Sequence, residues 1–195
     1  MRVLVVYAHP VDGSFCSIVR DRVRSSLSAA GHQVDLIDLY AEGFAPAMSA
    51  EEHALHRSGP ETKPAISDHA RRLSAAEALV FVYPTWWGGQ PAILKGWFDR
   101  VWVEGVAYSQ PQGASRIRPR LGHVRRLAVV TTHGSSKWVN VLQGEPGKRV
   151  IMRGLRALCH PRTRSRWVAL YNVDRSTPEQ RSRFLDRVDS VMSRL

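Results

Sequence analysis

The sequence of 195 residues has little of what several classes of protein require. Its only cysteines, Cys16 and Cys159, cannot form the disulfide framework of a small secreted domain. No apolar run approaches the roughly 20 residues of a membrane-spanning helix, and the apolar stretch at residues 3–8 is too short for the core of a signal peptide. The sequence therefore predicts a globular, soluble, cytoplasmic protein with a single domain over residues 1–195 and no membrane insertion.

Acidic residues are almost absent from one window of the chain. Residues 116–166 carry 13 Lys and Arg but one acid, Glu145, a balance of +12, whereas residues 1–115 have a balance of −2. A basic window can indicate a nucleic-acid surface, but no helix-turn-helix, zinc or aromatic-interleaved motif accompanies this one. It can also reflect a general preference for arginine, since 24 of the 28 basic residues are Arg. We therefore predict no nucleic-acid partner.

Short apolar runs alternate with stretches of helical periodicity. The runs at residues 3–7, 79–83 and 127–132 are typical of strands buried on both faces, and residues 33–38 and 167–171 are further strand candidates. Pro84 is expected to end the third strand. Helices are predicted at residues 14–31, 49–56, 67–76, 93–101, 150–158 and from Thr177 onward. This order predicts an α/β fold, a doubly wound sheet of five parallel strands with helices on both faces.

Open parallel sheets bind ligands beyond the carboxyl ends of their strands, which directs attention to the loops after strands one, three and four. The first of these loops, residues 9–16, has neither the G-x-G-x-x-G nor the P-loop pattern. Ser14 could nevertheless offer its hydroxyl to a phosphate, because a helix N-terminus attracts anions. The alternative interpretation is that Ser14 only caps the helix and that His9 is only a loop residue.

The other two loops indicate a flat ligand. Trp86 and Trp87 stand beside Gly88 and Gly89, so indole faces could wall a ring while the glycines let backbone amides approach its polar edge. The loop at residues 131–136 is small and rich in hydrogen-bond donors.

Residues 84–101 resemble the signature of the flavin-dependent NAD(P)H:quinone reductases of the DT-diaphorase type. In that signature a Pro and an aromatic loop precede Gly-x-Pro-Ala-Ile-Leu-Lys-Gly-Trp-Phe-acid-Arg-Val, as they do here. Shorter matches follow in the order of that family at residues 7–9, 14–16, 38–40 and 131–134, so the resemblance reaches about Gly144. It implies the flavodoxin-like form of the sheet, a flavin (FAD, or FMN as the alternative) and NAD(P)H as co-substrate.

The resemblance also implies roles for individual residues. The flavin phosphates would be held by residues of the first loop, His9, Ser14, Phe15 and Cys16. One edge of the isoalloxazine would be lined by Pro84, Thr85, Trp86 and Trp87. The pyrimidine end of the ring would be bound by Thr131, Thr132, His133 and Gly134. Tyr108 matches a tyrosine that enters the substrate pocket, usually from the partner subunit of a homodimer. The implied reaction is a ping-pong transfer of two electrons from the nicotinamide through the flavin to a quinone or similar acceptor.

The chain departs from this family at several positions. A Tyr and a His that stabilise charge on the reduced flavin align with Val139 and Glu145, so we expect His133 or Lys137 to act in their place. Two contacts of FAD-binding members are also replaced. Cys16 stands for an Asn and Ala70 for a Gln, so both replacements weaken the case for FAD, and the choice between FAD and FMN is open.

Other titratable residues have simpler interpretations. We expect His53, His56 and His69 on the surface, and we predict no metal site because the pair of Cys159 and His160 has no second pair at ligand spacing.

Two further functions compete with the reductase. One is a regulatory role similar to that of the ancillary reductases that bind potassium-efflux channels, and the other is a nucleic-acid-associated role for the basic window. The window could also attract NADPH, with Arg116, Arg118 and Arg120 as candidates for binding its 2′-phosphate.

Overall fold

A computed structural model of the protein describes residues 1–55, 63–111, 113 and 115–195. The strands are β1 (Arg2–Tyr7), β2 (Gln33–Asp38), β3 (Ala78–Thr85), β4 (Tyr108–Ser109), β5 (Arg118–Pro119), β6 (Arg126–His133) and β7 (Arg164–Leu170). The α-helices are α1 (Phe15–Ala29), α2 (Ala50–Ala54), α3 (Pro64–Ala75), α4 (Ala92–Val101), α5 (Lys137–Leu142), α6 (Pro146–Arg149) and α7 (Pro178–Met192). Among these described residues, no helix is long and apolar enough to cross a membrane.

Five parallel strands form one sheet in the order β2-β1-β3-β6-β7, which confirms the predicted doubly wound architecture. The chain adds β2 on one side of β1 and then returns to place β3 on the other side. The loops after β1 and β3 therefore diverge at the carboxyl edge, which is where such sheets open a ligand crevice. The short strands β4 and β5 pair antiparallel outside this sheet.

Alternate residues of each central strand enter two different cores. Leu4 and Val6 of β1 join the cluster that α3 and α4 cover, while Val3 and Val5 join the cluster that α1 and α7 cover. All four side chains are fully buried. This two-sided burial explains why the strand reads as a continuous apolar run rather than an alternating one.

The expectation that Pro84 ends the third strand is wrong. Strand β3 continues through Pro84, which pairs in register with Thr132 of β6, to Thr85. On the other side β1 ends opposite Val82, so position 84 has a neighbouring strand on one side alone. A proline, which lacks the N–H group, is tolerated at a position where a neighbouring strand pairs on one side only.

Helical structure differs from the prediction in two places. The segment predicted as one helix at residues 150–158 is a π-helical turn, Val150–Gly154, followed by a 3-10 helix, Leu155–Leu158. The helix expected at residues 49–56 is the short α2, and His56 lies outside the described residues. The helix predicted from Thr177 onward is α7, and Thr177 and Gln180 form a capping box at its start.

His69 does not lie on the surface as expected. Its side chain is 12% exposed, and its Nδ1 accepts a hydrogen bond of 3.1 Å from the indole Nε1 of the fully buried Trp97. Its Nε2 lies 3.3 Å from a carboxylate oxygen of Glu42. Residue 69 occupies the face of α3 that buries Ile66 and Leu73, since residues three and four apart share a helix face. His53, in contrast, is exposed.

Candidate functional site

A cavity of about 710 Å³ opens at the carboxyl edge of β1, β3 and β6. Eleven of the residues predicted from the sequence line it together, although they come from three separate loops: His9, Ser14, Phe15, Cys16, Pro84, Thr85, Trp86, Trp87, Thr132, His133 and Gly134. Two predicted residues do not line it. Thr131 is buried behind the wall, and Tyr108 belongs to β4, where it packs against the core.

The start of α1 forms one end of the cavity. Ser14 is the N-cap, and its hydroxyl accepts a hydrogen bond of 3.2 Å from the backbone N–H of Ser17. The first N–H groups of a helix have no partner within the helix, so this end carries partial positive charge. Burial raises the pKa of Cys16 to about 12, against the opposing effect of Arg20, so the thiol is neutral and adds no negative charge. The geometry therefore suits an anionic group.

Residues 86–89 form a tight turn that presents the two tryptophans. The backbone N–H of Trp86 donates to the carbonyl of Gly89 at 3.1 Å, and the N–H of Gly89 donates back at 3.0 Å. Trp87 and Gly88 both have positive φ, 50° and 72°, the pattern of a type I′ turn. A tryptophan in this left-handed region is strained, and its side chain is fully exposed. Packing within the chain therefore does not account for Trp87.

The turn is fixed in place by contact with α6. The N–H of Gly147 donates to the carbonyl of Gly88 at 2.9 Å, and the side-chain amide of Gln90 donates to the carbonyl of Gly147 at 2.7 Å. A Cβ at position 147 would lie 2.8 Å from the Gly88 oxygen, so only glycine permits this approach.

His133 lies in a directed hydrogen-bond network in the wall of the cavity. Its Nδ1 is 2.8 Å from Oδ1 of Asn140, and its Nε2 is 3.4 Å from the hydroxyl of Thr85, which is 2.9 Å from that of Thr131. The Nδ2 of Asn140 donates to the carbonyl of Ser136 at 2.8 Å, which fixes the amide with Oδ1 toward the histidine. The Nδ1 of His133 is therefore the protonated nitrogen.

The imidazole of His133 is neutral in this environment. Burial lowers its pKa, while the hydrogen bond with Asn140 and the charge of Glu145 oppose that effect. Its hydrogen-bond partners are satisfied by a neutral ring. The geometry therefore does not favour a cationic His133 that stabilises charge on a reduced flavin. A role for the neutral ring of His133 in the site stays a prediction.

Sequence reasoning had singled out Gly88 and the loop that contains Ser135, but it missed five further residues that line the cavity, namely Asn140, Gln143, Val173, Asp174 and Arg181. The guanidinium of Arg181 lies 5.3 Å from the ring centroid of Phe15, and it donates to the hydroxyl of Ser176 at 2.8 Å. Asp174 and Arg181 follow the carboxyl end of β7. The rule that directed attention to the other three loops applies to this fourth one as well.

A sequence profile of the family described as having a flavodoxin-like fold matches residues 1–188. The chain belongs to this flavodoxin-like family. The three candidate arginines for a 2′-phosphate, Arg116, Arg118 and Arg120, lie near β5 and do not line the cavity of this flavodoxin-like fold.

Known proteins similar to this flavodoxin-like chain include reductases. NAD(P)H dehydrogenase (quinone) 1 of Rattus norvegicus is 32% identical over 162 residues, which cover 75% of this chain and 58% of the relative. An uncharacterized NAD(P)H oxidoreductase of Haemophilus influenzae is 36% identical over 116 residues, covering 59% of this chain and 57% of the relative. The matches thus span less than three fifths of these relatives.

Solved structures match over nearly the whole length. The NAD(P)H:quinone oxidoreductase from Methanothermobacter marburgensis superimposes with a TM-score of 0.82 at 29% identity, covering 99% of this chain and 98% of that one. Smu.1420 from Streptococcus mutans superimposes with a TM-score of 0.85 at 26% identity, and the match covers both chains completely. The predicted resemblance to quinone reductases of flavodoxin-like fold is thereby confirmed.

Proposed function

We propose that the protein is a flavin-dependent NAD(P)H:quinone oxidoreductase, or a reductase of a related acceptor. The observation that carries this proposal is the convergence of eleven predicted flavin contacts from three loops on one cavity. The similarity to proteins named as quinone reductases supports it.

The residues of the cavity fit a flavin. The N-terminus of α1 with the Ser14 hydroxyl would bind a phosphate, and Arg181 adds a cation near Phe15. Trp86, 43% exposed, and Trp87 offer indole faces to a flat ring. Gly134 lines the cavity without a side chain, so its backbone can approach a ring edge closely.

A bound flavin would supply transfer of two electrons from a reduced nicotinamide to an acceptor, in two half-reactions that share one binding place. The protein's own contribution is binding and orientation. His133 would act as a neutral ring that fixes the loop at residues 131–136, through Thr85 on one side and Asn140 on the other. The Trp86–Trp87 turn would exclude water from one edge of the site.

We propose FAD as the flavin, with FMN as the alternative. Ala70, which replaces a glutamine of FAD-binding relatives, is buried in α3 and does not line the cavity. Ala70 cannot replace the contact that this glutamine makes. The adenine of a bound FAD would therefore have to contact other residues, such as Arg181.

We also propose a homodimer, in which Tyr108 reaches the site of the partner subunit. Exposed apolar residues near the cavity support this association: Trp87 stands on the turn, and Trp138 and Leu142 project from α5 with 73% and 77% exposure. Large exposed apolar residues in a cluster indicate a surface that is covered by a partner. Light scattering after gel filtration should give about twice the chain mass of 21.9 kDa.

Purification tests the proposed function directly. The expected protein is yellow, releases a flavin whose mass identifies FAD or FMN, and oxidises NADPH when menadione is present. A colourless protein that neither FAD nor FMN reconstitutes would overturn the proposal. A yellow protein without turnover would favour the regulatory role similar to that of ancillary reductases. The cytoplasmic location stays a prediction.

A further inference from the structure

A second crevice, of about 320 Å³, is separated from the main cavity by two stacked rings. His133 lines the cavity and Tyr171 lines the crevice, with 4.6 Å between the ring centroids. The walls of the crevice come from α5, α6, β7 and α7. Its polar lining consists of Lys137, Glu145, Lys148, Trp167, Tyr171 and Arg187.

Positive charge exceeds negative charge in this lining. Three side chains are cationic, and the single carboxylate, that of Glu145, lies 2.9 Å from the ammonium of Lys148. Within the part of the chain that the structure describes, Lys137 and Arg187 have no carboxylate partner; Arg187 donates to the backbone carbonyl of Ala169. Uncompensated cations that share a concave site attract an anion.

A buried donor without an acceptor provides an independent observation. The indole Nε1 of Trp167 is inaccessible to solvent, and no acceptor for its N–H lies among the described residues. A buried N–H group that makes no hydrogen bond is costly, and such groups are rare in folded proteins. Because Nε1 is closed to solvent, an anion in the crevice that Trp167 lines would provide the missing acceptor only after a small shift of the wall exposed this N–H group, and it would neutralise Lys137 and Arg187.

We propose that this crevice binds a phosphate group. A phosphate offers several acceptor oxygens, which suits two ammonium groups, a guanidinium and an N–H donor. The volume is at the lower end of ligand sites and admits a phosphomonoester end rather than a whole dinucleotide. The group could belong to a free phosphorylated molecule or to the 2′-phosphate of NADPH. Only the second source rests on the proposed reductase function.

The test observes the indole N–H of Trp167 in the full-length protein as purified. With ¹⁵N-labelled tryptophan, the Trp167 resonance is assigned by its loss in Trp167→Phe. Inorganic phosphate is then titrated at constant ionic strength set with sodium chloride, so that general screening does not change. We expect a saturable shift of this resonance, with affinity weakened at least about fivefold in Lys137→Ala.

Arg24→Ala is the matched control, since Arg24 is exposed on α1 and does not line the crevice. It should leave the phosphate affinity unchanged. A Trp167 resonance that does not move, a linear drift shared by all the indoles, or equal loss of affinity in both variants would overturn the proposal.

Two nucleotides identify the source of the phosphate. Binding of 2′-AMP at least about tenfold tighter than that of 5′-AMP or inorganic phosphate would assign the crevice to NADPH. Equal affinities would assign it to phosphomonoesters in general. Because the resonance reports binding without flavin or turnover, a protein that binds phosphate here but oxidises no NADPH would contradict the reductase function alone.

Discussion

The imidazole of His133 stacks on the phenol ring of Tyr171, with 4.6 Å between centroids and 24° between planes. With both nitrogens directed at other side chains and one face covered, the ring has one well-defined position. The loop that would bind the edge of a flavin is therefore held in place by the side chain of His133.

The protonation of His133 gives a first prediction. Because burial lowers its pKa, the ring should lose its charge at a pH below the ordinary histidine value and be neutral above that, with the proton on Nδ1. Long-range ¹H–¹⁵N spectra of the histidines can check this. Asn140→Ala should lower the pKa further, since the hydrogen bond raises it, and Asn140→Asp should raise it through the added charge. Titration of the wild-type ring at or above pH 6.5 would contradict the assignment.

The strained turn gives a second prediction. Trp87→Asn places a residue that tolerates positive φ at position 87, so the free energy of unfolding should rise by about 1 kcal/mol. Flavin affinity should nevertheless fall, because the exposed indole serves a ligand rather than the core. Denaturant unfolding of the flavin-free protein and a flavin titration measure the two effects. Tyr40→Ala, which changes an exposed aromatic residue that does not line the cavity, should leave flavin affinity intact; equal loss in both variants would argue against the role of Trp87.

The contact between Gly134 and Asp174 gives a third prediction. In Gly134→Ala the new methyl group meets a carboxylate oxygen at 2.9 Å; because this oxygen is the end of a flexible side chain that can turn away, the unfolding free energy should fall by only about 0.5–1 kcal/mol. Combining it with Asp174→Ala removes the opposing atoms and should restore most of the loss. The double-mutant cycle is measured by denaturant unfolding. Additive effects of the two changes would show that the two residues are not in contact.

The buried network of His69 gives a fourth prediction, for stability against pH. Burial lowers the pKa of His69 below its ordinary value, and although Glu42 opposes this, the net direction is down. The unfolded chain therefore binds the proton more readily, and the free energy of unfolding should decrease as the pH falls below about 6.5.

His69→Gln isolates that contribution. Glutamine keeps an acceptor for the indole N–H of Trp97 but does not titrate, so the variant should lose stability less steeply below pH 6.5 than the wild type. His69→Leu leaves the buried N–H of Trp97 unpaired, which should cost about 1–3 kcal/mol at neutral pH. Identical pH profiles for the wild type and His69→Gln would show that other groups, such as His32 and His133, dominate the dependence.

Local patterns in the sequence were sufficient to predict the sheet and the three loops that form the cavity, whereas the roles of individual residues in those loops came from the resemblance to quinone reductases. Continuous apolar runs mark strands buried on both faces, and their carboxyl ends must meet at one edge, which is why residues as distant as His9 and His133 could be assigned to one site. Gly96 in the signature has a structural reason as well: a Cβ there would collide with the backbone of Pro46.

What could not be predicted depends on how elements pack. The positions of Asn140 and Arg181 follow from the docking of α5 and α7, which no local pattern specifies. The continuation of β3 through Pro84 depends on where the neighbouring strand β1 ends. His69 was a different case, because its spacing from Ile66 and Leu73 already placed it on the buried face of α3.

The backbone contact of Gly147 with Gly88 joins the wall of the cavity to the wall of the crevice. Gly88 belongs to the turn that carries Trp87 beside the cavity, and the residue after Gly147 is Lys148, which lines the crevice. At position 147 a Cβ would lie 2.8 Å from the carbonyl oxygen of Gly88, so the two backbones approach as closely as glycine permits. The position of the turn beside the cavity therefore constrains the position of the segment that carries Lys148 beside the crevice.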